Sequence, residues 1–370
     1  MDVFTLKIAA AGVRFLAAIA RLFASRHTDI VLISCQGDEP SQDILDLAAK
    51  LQDRFKIKVI AGKMRRSAGG AFSFMGRLFT MLRYTARAKV VVIDAYCMAV
   101  SIPKKRQGQT VVQLWHAPEA IKKFSLQITD TPAGYSKRTT EILCMHRNYD
   151  YILCPADATR PFFEEAFGYP ENAFVKLGLP SLDRIGETVI ARSDSDKAIQ
   201  SLTVVYAPTF RDGEAVETDE LVRAFAQLLP EAKLVLKLHP LDAASYSGDG
   251  HAVVDKEKPL IEWYKTADVI ITDYSGVAVE AAAAGVASYY YIYDIYEYMS
   301  KRGLNIDLRN EATGKYTYTD AAPLAGQIAQ DFVGANSYDY EALASFAAKY
   351  LEVPLSGNTE KLADFIAEIS

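Results

Sequence analysis

Ala267-Asp268-Val269-Ile270-Ile271-Thr272-Asp273-Tyr274-Ser275-Gly276-Val277-Ala278-Val279-Glu280-Ala281 reads as a buried strand, a tight turn and a helix start. The apolar run Val269–Ile271 has no alternation, as expected of a strand covered on both faces. Ser275 stands where a helix N-cap belongs, and Gly276 gives a backbone that another group can approach closely. The free N–H groups of such a first turn suit a phosphate, through donors and the helix dipole. Asp273 does not fit a phosphate contact and is expected to orient backbone or to accept from a hydroxyl. An ordinary serine cap without a ligand remains the competing reading.

The same strand–helix rhythm extends in both directions. Downstream of residue 200 the strands are expected at Leu202–Tyr206, Lys233–Leu238, His251–Asp255, Val269–Thr272 and Ala287–Tyr291, with helices at Asp219–Leu229, Pro259–Lys265 and Gly276–Ala284. Upstream, strands are expected at Asp29–Ser34, Lys58–Ile60, Lys89–Asp94, Thr110–Trp115 and Tyr151–Cys154, with helices at Ser41–Phe55 and Ala71–Arg87. Short apolar strands alternating with helices predict an α/β fold of parallel, doubly wound sheets. The polar stretch Arg192–Lys197 has no apolar period and is expected to lie in a linker within Leu182–Ser201. The expected organisation is a Rossmann-like domain over 1–190, a second over 200–340, and a last helix over 341–370 that packs back toward the first. Two such domains facing each other constitute the GT-B architecture.

With 370 residues, two domains are the expected number. A net charge of −5 argues against a bulk nucleic-acid binder. Cys35, Cys97, Cys144 and Cys154 are scattered, without a CxxC pair, so neither a disulfide framework nor a zinc site is indicated and a reducing cytoplasm is the expected compartment. The segment Phe4–Phe23 is apolar but carries Lys7, Arg14 and Arg21, which argue against a membrane span or a signal peptide. These cations, seven apart, share one helical face, and Phe4, Ile8, Phe15, Ile19 and Leu22 fall near another. That pattern fits a helix lying in a membrane interface or one packed on its own domain.

Two histidines close strands: His116 in Trp115-His116-Ala117-Pro118-Glu119-Ala120-Ile121-Lys122-Lys123, and His239 in Lys237-Leu238-His239-Pro240. Ligands of open α/β sheets bind outside the carboxyl ends of strands, so both are candidates for chemistry. Tyr206-Ala207-Pro208-Thr209-Phe210-Arg211-Asp212 leaves another strand, and there Thr209 and Arg211 could donate to a diphosphate. Asp294 and Arg302 follow a tyrosine-rich strand and are candidates of the same kind.

Taken together and in this order, WHAPEAIKKF, YAPTFRD, KLHP, ADVIITDYSGVAVEAA and YDIYEY…RG resemble the CDP-glycerol glycerophosphotransferase family of teichoic acid and related polyol-phosphate polymers. The resemblance spans about residues 90–310. It implies a GT-B fold, a CDP-activated polyol phosphate (glycerol or ribitol) as donor, and His116 and His239 as the characteristic histidines. The family's usual first motif is WHGTPLKK, so this chain departs from it at Ala117–Ile121, where an acid, Glu119, appears. On this resemblance His116 is expected to be the general base, with His239 assisting the departing CMP, although the two roles could be exchanged. Thr209, Arg211, Lys237, Asp273, Ser275, Gly276, Asp294 and Arg302 are expected to form the donor site. No resident metal or cofactor is expected, while Mg²⁺ accompanying the nucleotide is compatible with the reading. Lys122, Lys123, Arg77 and Arg83 are expected to serve a lipid-linked saccharide or polymer acceptor at the inner membrane face, in a cytoplasmic, peripheral enzyme. A nucleotide-sugar glycosyltransferase and a non-catalytic binding subunit are the alternatives.

Overall fold

The structure, a computed structural model, describes residues 3–24, 28–63, 68–193, 201–211, 216–238, 251–334 and 337–370, and side chains at these positions except 68–73. Contacts divide the chain into two units. Unit 1 comprises Met1–Pro118, Phe124–Asp183 and Val353–Ser370, and unit 2 comprises Glu119–Lys123 and Arg184–Glu352.

Unit 1 is built on a six-stranded parallel sheet: β1 (Ile30–Ser34), β2 (Ile57–Ala61), β3 (Val90–Ile93), β4 (Thr110–Gln113), β5 (Tyr151–Leu153) and β6 (Phe174–Val175), ordered β2-β1-β3-β4-β5-β6. In unit 2 the sheet is β7 (Thr203–Tyr206), β8 (Lys233–Leu236), β9 (Ala252–Val254), β10 (Val269–Thr272), β11 (Ala287–Tyr291) and β12 (Thr317–Tyr318), ordered β12-β11-β10-β7-β8-β9. Every residue of β1, β3, β10 and β11 is buried, as continuous apolar strands under two layers of helices require. The order reverses between β1 and β3 in one sheet and between β7 and β10 in the other. These two switch points are where doubly wound sheets open crevices for ligands.

The expected α/β class is the one observed, and three local expectations need correction. The region assigned to a linker is mostly helix, Pro180–Ser193, because Leu182, Ile185 and Thr188 recur at helical spacing and bury one face. Residues 194–200 lie outside the described residues. The last segment is two helices, Tyr340–Tyr350 and Asn358–Glu368, rather than one. The first belongs to unit 2, and the second belongs to unit 1. The strands β6 and β12, two residues each, were too short to carry a period.

The helix Asn358–Glu368 closes unit 1 by burying Leu362, Ala363 and Ile366 in a cluster with Ile44, Leu47 and Leu51 of the helix Gln42–Leu51. Its N-cap is Gly357, which has no side chain to offer. Asp183 supplies the acceptor instead, taking Asn358 N at 2.8 Å and Nδ2 at 2.9 Å on Oδ1, and Thr359 N at 2.8 Å and Oγ1 at 2.7 Å on Oδ2. A carboxylate at a helix start satisfies orphan donors and complements the dipole. The exposed pairs Lys50–Glu360 and Arg54–Asp364 flank the same contact and add little. Asp183→Ala is therefore expected to destabilise the chain by about 2 kcal/mol, read as a lowered urea midpoint, whereas Glu360→Ala is expected to lower it by under about 0.5 kcal/mol.

Candidate functional site

Thr209 follows β7 and Asp273 follows β10, so the chain leaves the sheet on both sides of the unit 2 switch point. The Asp273 carboxylate is completely buried and accepts the Thr209 N–H, at 2.9 Å on one oxygen and 3.1 Å on the other. This is the backbone-orienting role expected of it. Arg211, 5 % exposed, places Nη2 2.9 Å from Asp273. Its Nε donates to Asp294 at 2.7 Å and its Nη2 to the other oxygen of Asp294 at 3.0 Å. A further donor, Nη1, reaches the Thr209 carbonyl at 2.8 Å. Tyr274, Tyr293 and Tyr298 set their rings 5.5, 5.7 and 5.1 Å from the guanidinium carbon. The Tyr274 hydroxyl donates to Asp294 at 3.2 Å.

In this geometry Arg211 and Asp294 are partners of each other. The guanidinium fork is spent on two carboxylates and a carbonyl, and Asp294 is spent on Arg211 and Tyr274. Both groups build the loop. Burial pulls the Arg211 pKa down, but Asp273 and Asp294 overcome it and raise the pKa above its ordinary value. Lys237 is likewise engaged, with Nζ 3.6 Å from Asp255 Oδ2 and 3.3 Å from the Asp255 carbonyl. Asp255 also accepts from Trp263 Nε1 at 2.6 Å.

The turn after β10 also differs from expectation. The N-cap of the helix Val277–Ala283 is Gly276, not Ser275, and the helix is two turns long. Ser275 Oγ accepts from Val277 N at 3.4 Å, which leaves it half-buried at the rim. The group that approaches Gly276 is internal: a Cβ at this position would lie 2.0 Å from Glu119 Oε1. Nothing in the local sequence marks Glu119 as buried, because an acid in a loop ordinarily stays in water.

The segment Glu119–Lys123 belongs to unit 2. Asn305 N and Ile306 N donate to the Ile121 carbonyl at 2.9 and 3.2 Å, Lys123 N donates to the Gly303 carbonyl at 3.2 Å, and Arg302 Nε donates to the Lys123 carbonyl at 2.9 Å. Arg302 therefore holds this segment. Lys122, assigned in the sequence to an acceptor or membrane face, instead brings Nζ to 3.5 Å from Thr209 Oγ1. Burial pulls its pKa down, against the attraction of Asp273. Among the described residues, Lys122, Thr209 and Ser275 are polar groups at the unit 2 switch point whose side chains are half-buried, and Lys122 carries a cation there.

In unit 1, His116 is exposed just beyond β4. Trp115 before it adopts φ 61°, an uncommon left-handed backbone for a bulky residue. Gln113, fully buried, stabilises the bend by accepting the Trp115 N–H at 2.9 Å on Oε1. The indole packs against Phe124 and Phe167 at 5.0 and 5.3 Å, and the His116 ring rests on it at 4.1 Å. His116 is thereby presented to solvent on an aromatic platform. At the unit 1 switch point, Asp94 accepts from Ser34 Oγ at 2.6 Å, Cys35 N at 2.9 Å and Ser41 Oγ at 2.9 Å. A largely apolar cavity of about 240 Å³ adjoins it, lined by Cys35, Phe74, Met81, Tyr96, Cys97 and Leu143 among others. Arg77 is paired with Asp38, and Arg83 Nε donates to the Phe23 carbonyl at 2.7 Å. His239 lies outside the described residues.

The model of a family described as CDP-glycerol:poly(glycerophosphate) glycerophosphotransferase matches residues 16–368. The chain is 27 % identical to a teichoic acid ribitol-phosphate primase of Bacillus spizizenii, covering 94 % of this chain and 93 % of that protein. It is also 27 % identical to a teichoic acid glycerol-phosphate primase of Bacillus subtilis, covering 76 % of this chain and 74 % of the relative. A structure of the wall teichoic acid polymerase TagF superposes with a TM-score of 0.71 at 18 % identity, covering 99 % of this chain and 97 % of that one. The shared fold is α/β GT-B.

Removing Arg211 is expected to be structural in effect. Arg211→Met leaves Asp273 buried without its cation and is expected to cost about 3–5 kcal/mol, read by chemical denaturation. Arg211→Lys keeps the charge but not the fork, and is expected to cost less than the Met variant.

Proposed function

Because the chain belongs to the CDP-glycerol:poly(glycerophosphate) glycerophosphotransferase family, we propose that it transfers a polyol phosphate from a CDP-activated donor to a hydroxyl of a saccharide or polyol-phosphate acceptor in teichoic acid or related polymer synthesis. The observation that carries this reading is the family match over residues 16–368. Similarity to primases for both ribitol phosphate and glycerol phosphate supports the reaction class and leaves the polyol to the donor screen below.

In this reaction the acceptor oxygen forms a bond to the β-phosphorus as the bond to the bridging oxygen breaks, and CMP departs with the electron pair. Enzymatic phosphoryl transfer depends chiefly on positioning and charge stabilisation. We assign proton removal from the acceptor hydroxyl to His116, whose exposed seat on Trp115 suits a base that must meet a large substrate. Lys122, Thr209 and Ser275 are assigned to the donor's phosphates, with Arg211, Asp273, Asp294 and Arg302 as their framework. His239 is assigned to the departing CMP on sequence grounds. No resident metal enters the scheme, and Mg²⁺ would travel with the nucleotide. His116→Ala is expected to lower transfer from CDP-glycerol or CDP-ribitol at least about 100-fold with donor binding retained. Near-normal transfer by this variant would remove His116 from the mechanism. In a thermal-shift screen, a CDP-polyol is expected to raise the melting temperature and a UDP-sugar to leave it unchanged, and the reverse would favour a glycosyltransferase.

We further propose a peripheral seat on an anionic membrane. The helix Val3–Leu22 is, by length and composition, long and apolar enough to span a bilayer. It buries Leu6, Ala10, Val13, Ala17 and Ala20 within unit 1, however. Its opposite face exposes Phe4, Ile8, Phe15 and Leu22, with Lys7 and Arg14 beside them. Small residues of this helix pack inward, while the large apolar ones are left outside. An apolar face flanked by cations suits the interface of an anionic leaflet. The cavity beside Asp94 could accept an apolar part of a lipid-linked acceptor. Replacing Phe4, Ile8 and Phe15 together by Ser is expected to abolish flotation with phosphatidylglycerol liposomes. The wild-type chain should float, and less so in high salt.

A further inference from the structure

Glu119 is a carboxylic acid in a place that water does not reach. It is 8 % exposed, its Oε1 lies against Gly276, and its Oε2 is buried with no hydrogen-bond partner among the described residues. Three groups face it: Glu280 from the helix Val277–Ala283, Tyr264 from the helix Leu260–Tyr264, and Lys122 from its own segment. Tyr264 gives its hydroxyl hydrogen to Glu280 Oε2 at 3.0 Å, so the phenol serves Glu280 rather than Glu119. Two carboxyl groups thus lie near each other in a poorly solvated pocket, and holding both ionised there is costly. Three residues along, on the same segment, Lys122 meets Thr209.

We propose that Glu119 is a positioning residue: seated on Gly276 beside Glu280, its carboxyl clamps the 119–123 segment and so sets Lys122 against Thr209 at the donor site. Hydrogen bonds from 302–306 fix the far end of the segment, and Glu119 fixes the near end. A Cβ at Gly276 would fall 2.0 Å from Glu119 Oε1, so the carboxyl occupies the space that a side chain there would need. Desolvation, followed by the charge of Glu280, pushes the Glu119 carboxyl up to about 7. Below that pH the clamp is neutral and closed. Above it, a second negative charge faces Glu280 and the donor's phosphates, and donor binding weakens. This inference rests on the proposed use of Lys122, Thr209 and Ser275 by a CDP-polyol. The acid is one of the residues at which this chain departs from the usual family motif.

The linkage has a definite sign. A carboxyl at about 7 when folded and near its ordinary value of 4.5 when unfolded keeps its proton longer in the folded chain. Its stabilisation is present below about pH 4.5, is lost as the pH rises to about 7, and is constant above that. The test uses the full chain as wild type, Glu119→Gln and Glu119→Ala. CDP-glycerol and CDP-ribitol binding are measured by calorimetry at about pH 6 and about pH 8.5, and thermal unfolding is followed from about pH 4.5 to 8.5. Glu119→Gln is expected to bind as wild type does at the lower pH and to lose the several-fold weakening that wild type shows at the higher. Glu119→Ala is expected to bind about tenfold more weakly at both, the scale of one misplaced charge-assisted contact. The wild-type melting temperature should fall relative to Glu119→Gln between about pH 4.5 and 7. Parallel pH profiles for wild type and Glu119→Gln, or wild-type affinity in Glu119→Ala, would overturn the proposal. If wild type binds neither CDP-polyol while its melting profile still diverges from that of Glu119→Gln, the donor assignment fails and the buried clamp stands.

Discussion

Unit 2 is organised around one guanidinium. Arg211 lies between Asp273 and Asp294, beyond the carboxyl ends of β10 and β11, and its own loop follows β7. These are three adjacent strands, so a single side chain fixes the mutual placement of their three loops. Desolvating three charges is expensive, and a buried ion network is seldom a net source of stability. Its benefit here is directional: the fork dictates where Thr209, Tyr274 and Asp294 stand, and the surrounding tyrosine rings leave few other orientations. Thr209, half-buried at the switch point, is held by this framework through its N–H and its carbonyl.

Unit 1 solves the same problem without an arginine. Asp94, at the end of β3, gathers Ser34, Cys35 and Ser41 from the end of β1 and the start of the next helix. In both sheets a buried aspartate beyond a strand at the switch point ties down the adjacent strand's exit loop. The physical reason is common to both: backbone N–H groups leaving a parallel sheet lose their ladder partners and require an acceptor. Asp183 applies the same principle at the N-terminus of Asn358–Glu368, where Gly357 offers no cap.

Much of this was legible in the residues. The long apolar runs at Ile30–Ser34 and Val269–Thr272 announced buried parallel strands, and Asp273 at the end of the second announced a group that orients backbone. Arg211 and Asp294 were each recognisable as candidates, but not as partners of each other, because 83 residues separate them. The guanidinium seen as free in sequence is consumed in the fold. Lys122 stands beside Thr209 in unit 2 for the same reason: local sequence does not reveal which unit a five-residue segment joins. Glu119 had no signal at all beyond being an acid where the usual motif has none. The helix Val3–Leu22 yielded half of its meaning, since its pattern shows two faces and only packing decides which one is covered.

What the sequence by itself determined was the alternation of strand and helix, the parallel α/β class, the order of the motifs and the family to which they belong. These follow from short-range periodicity and from residue types that need no distant partner to be recognised. Tertiary structure alone decided which charged side chains are spent on the protein and which remain for a ligand. Hydrogen-bond valence explains the difference: a guanidinium has five donors and a carboxylate about four acceptor sites, and whether a ligand finds any left depends on neighbours that only folding brings within 3 Å or so. By that count Arg211 and Asp294 are framework, Lys122 is a cation at the switch point among the described residues, and Glu119 is a buried acid on the same segment.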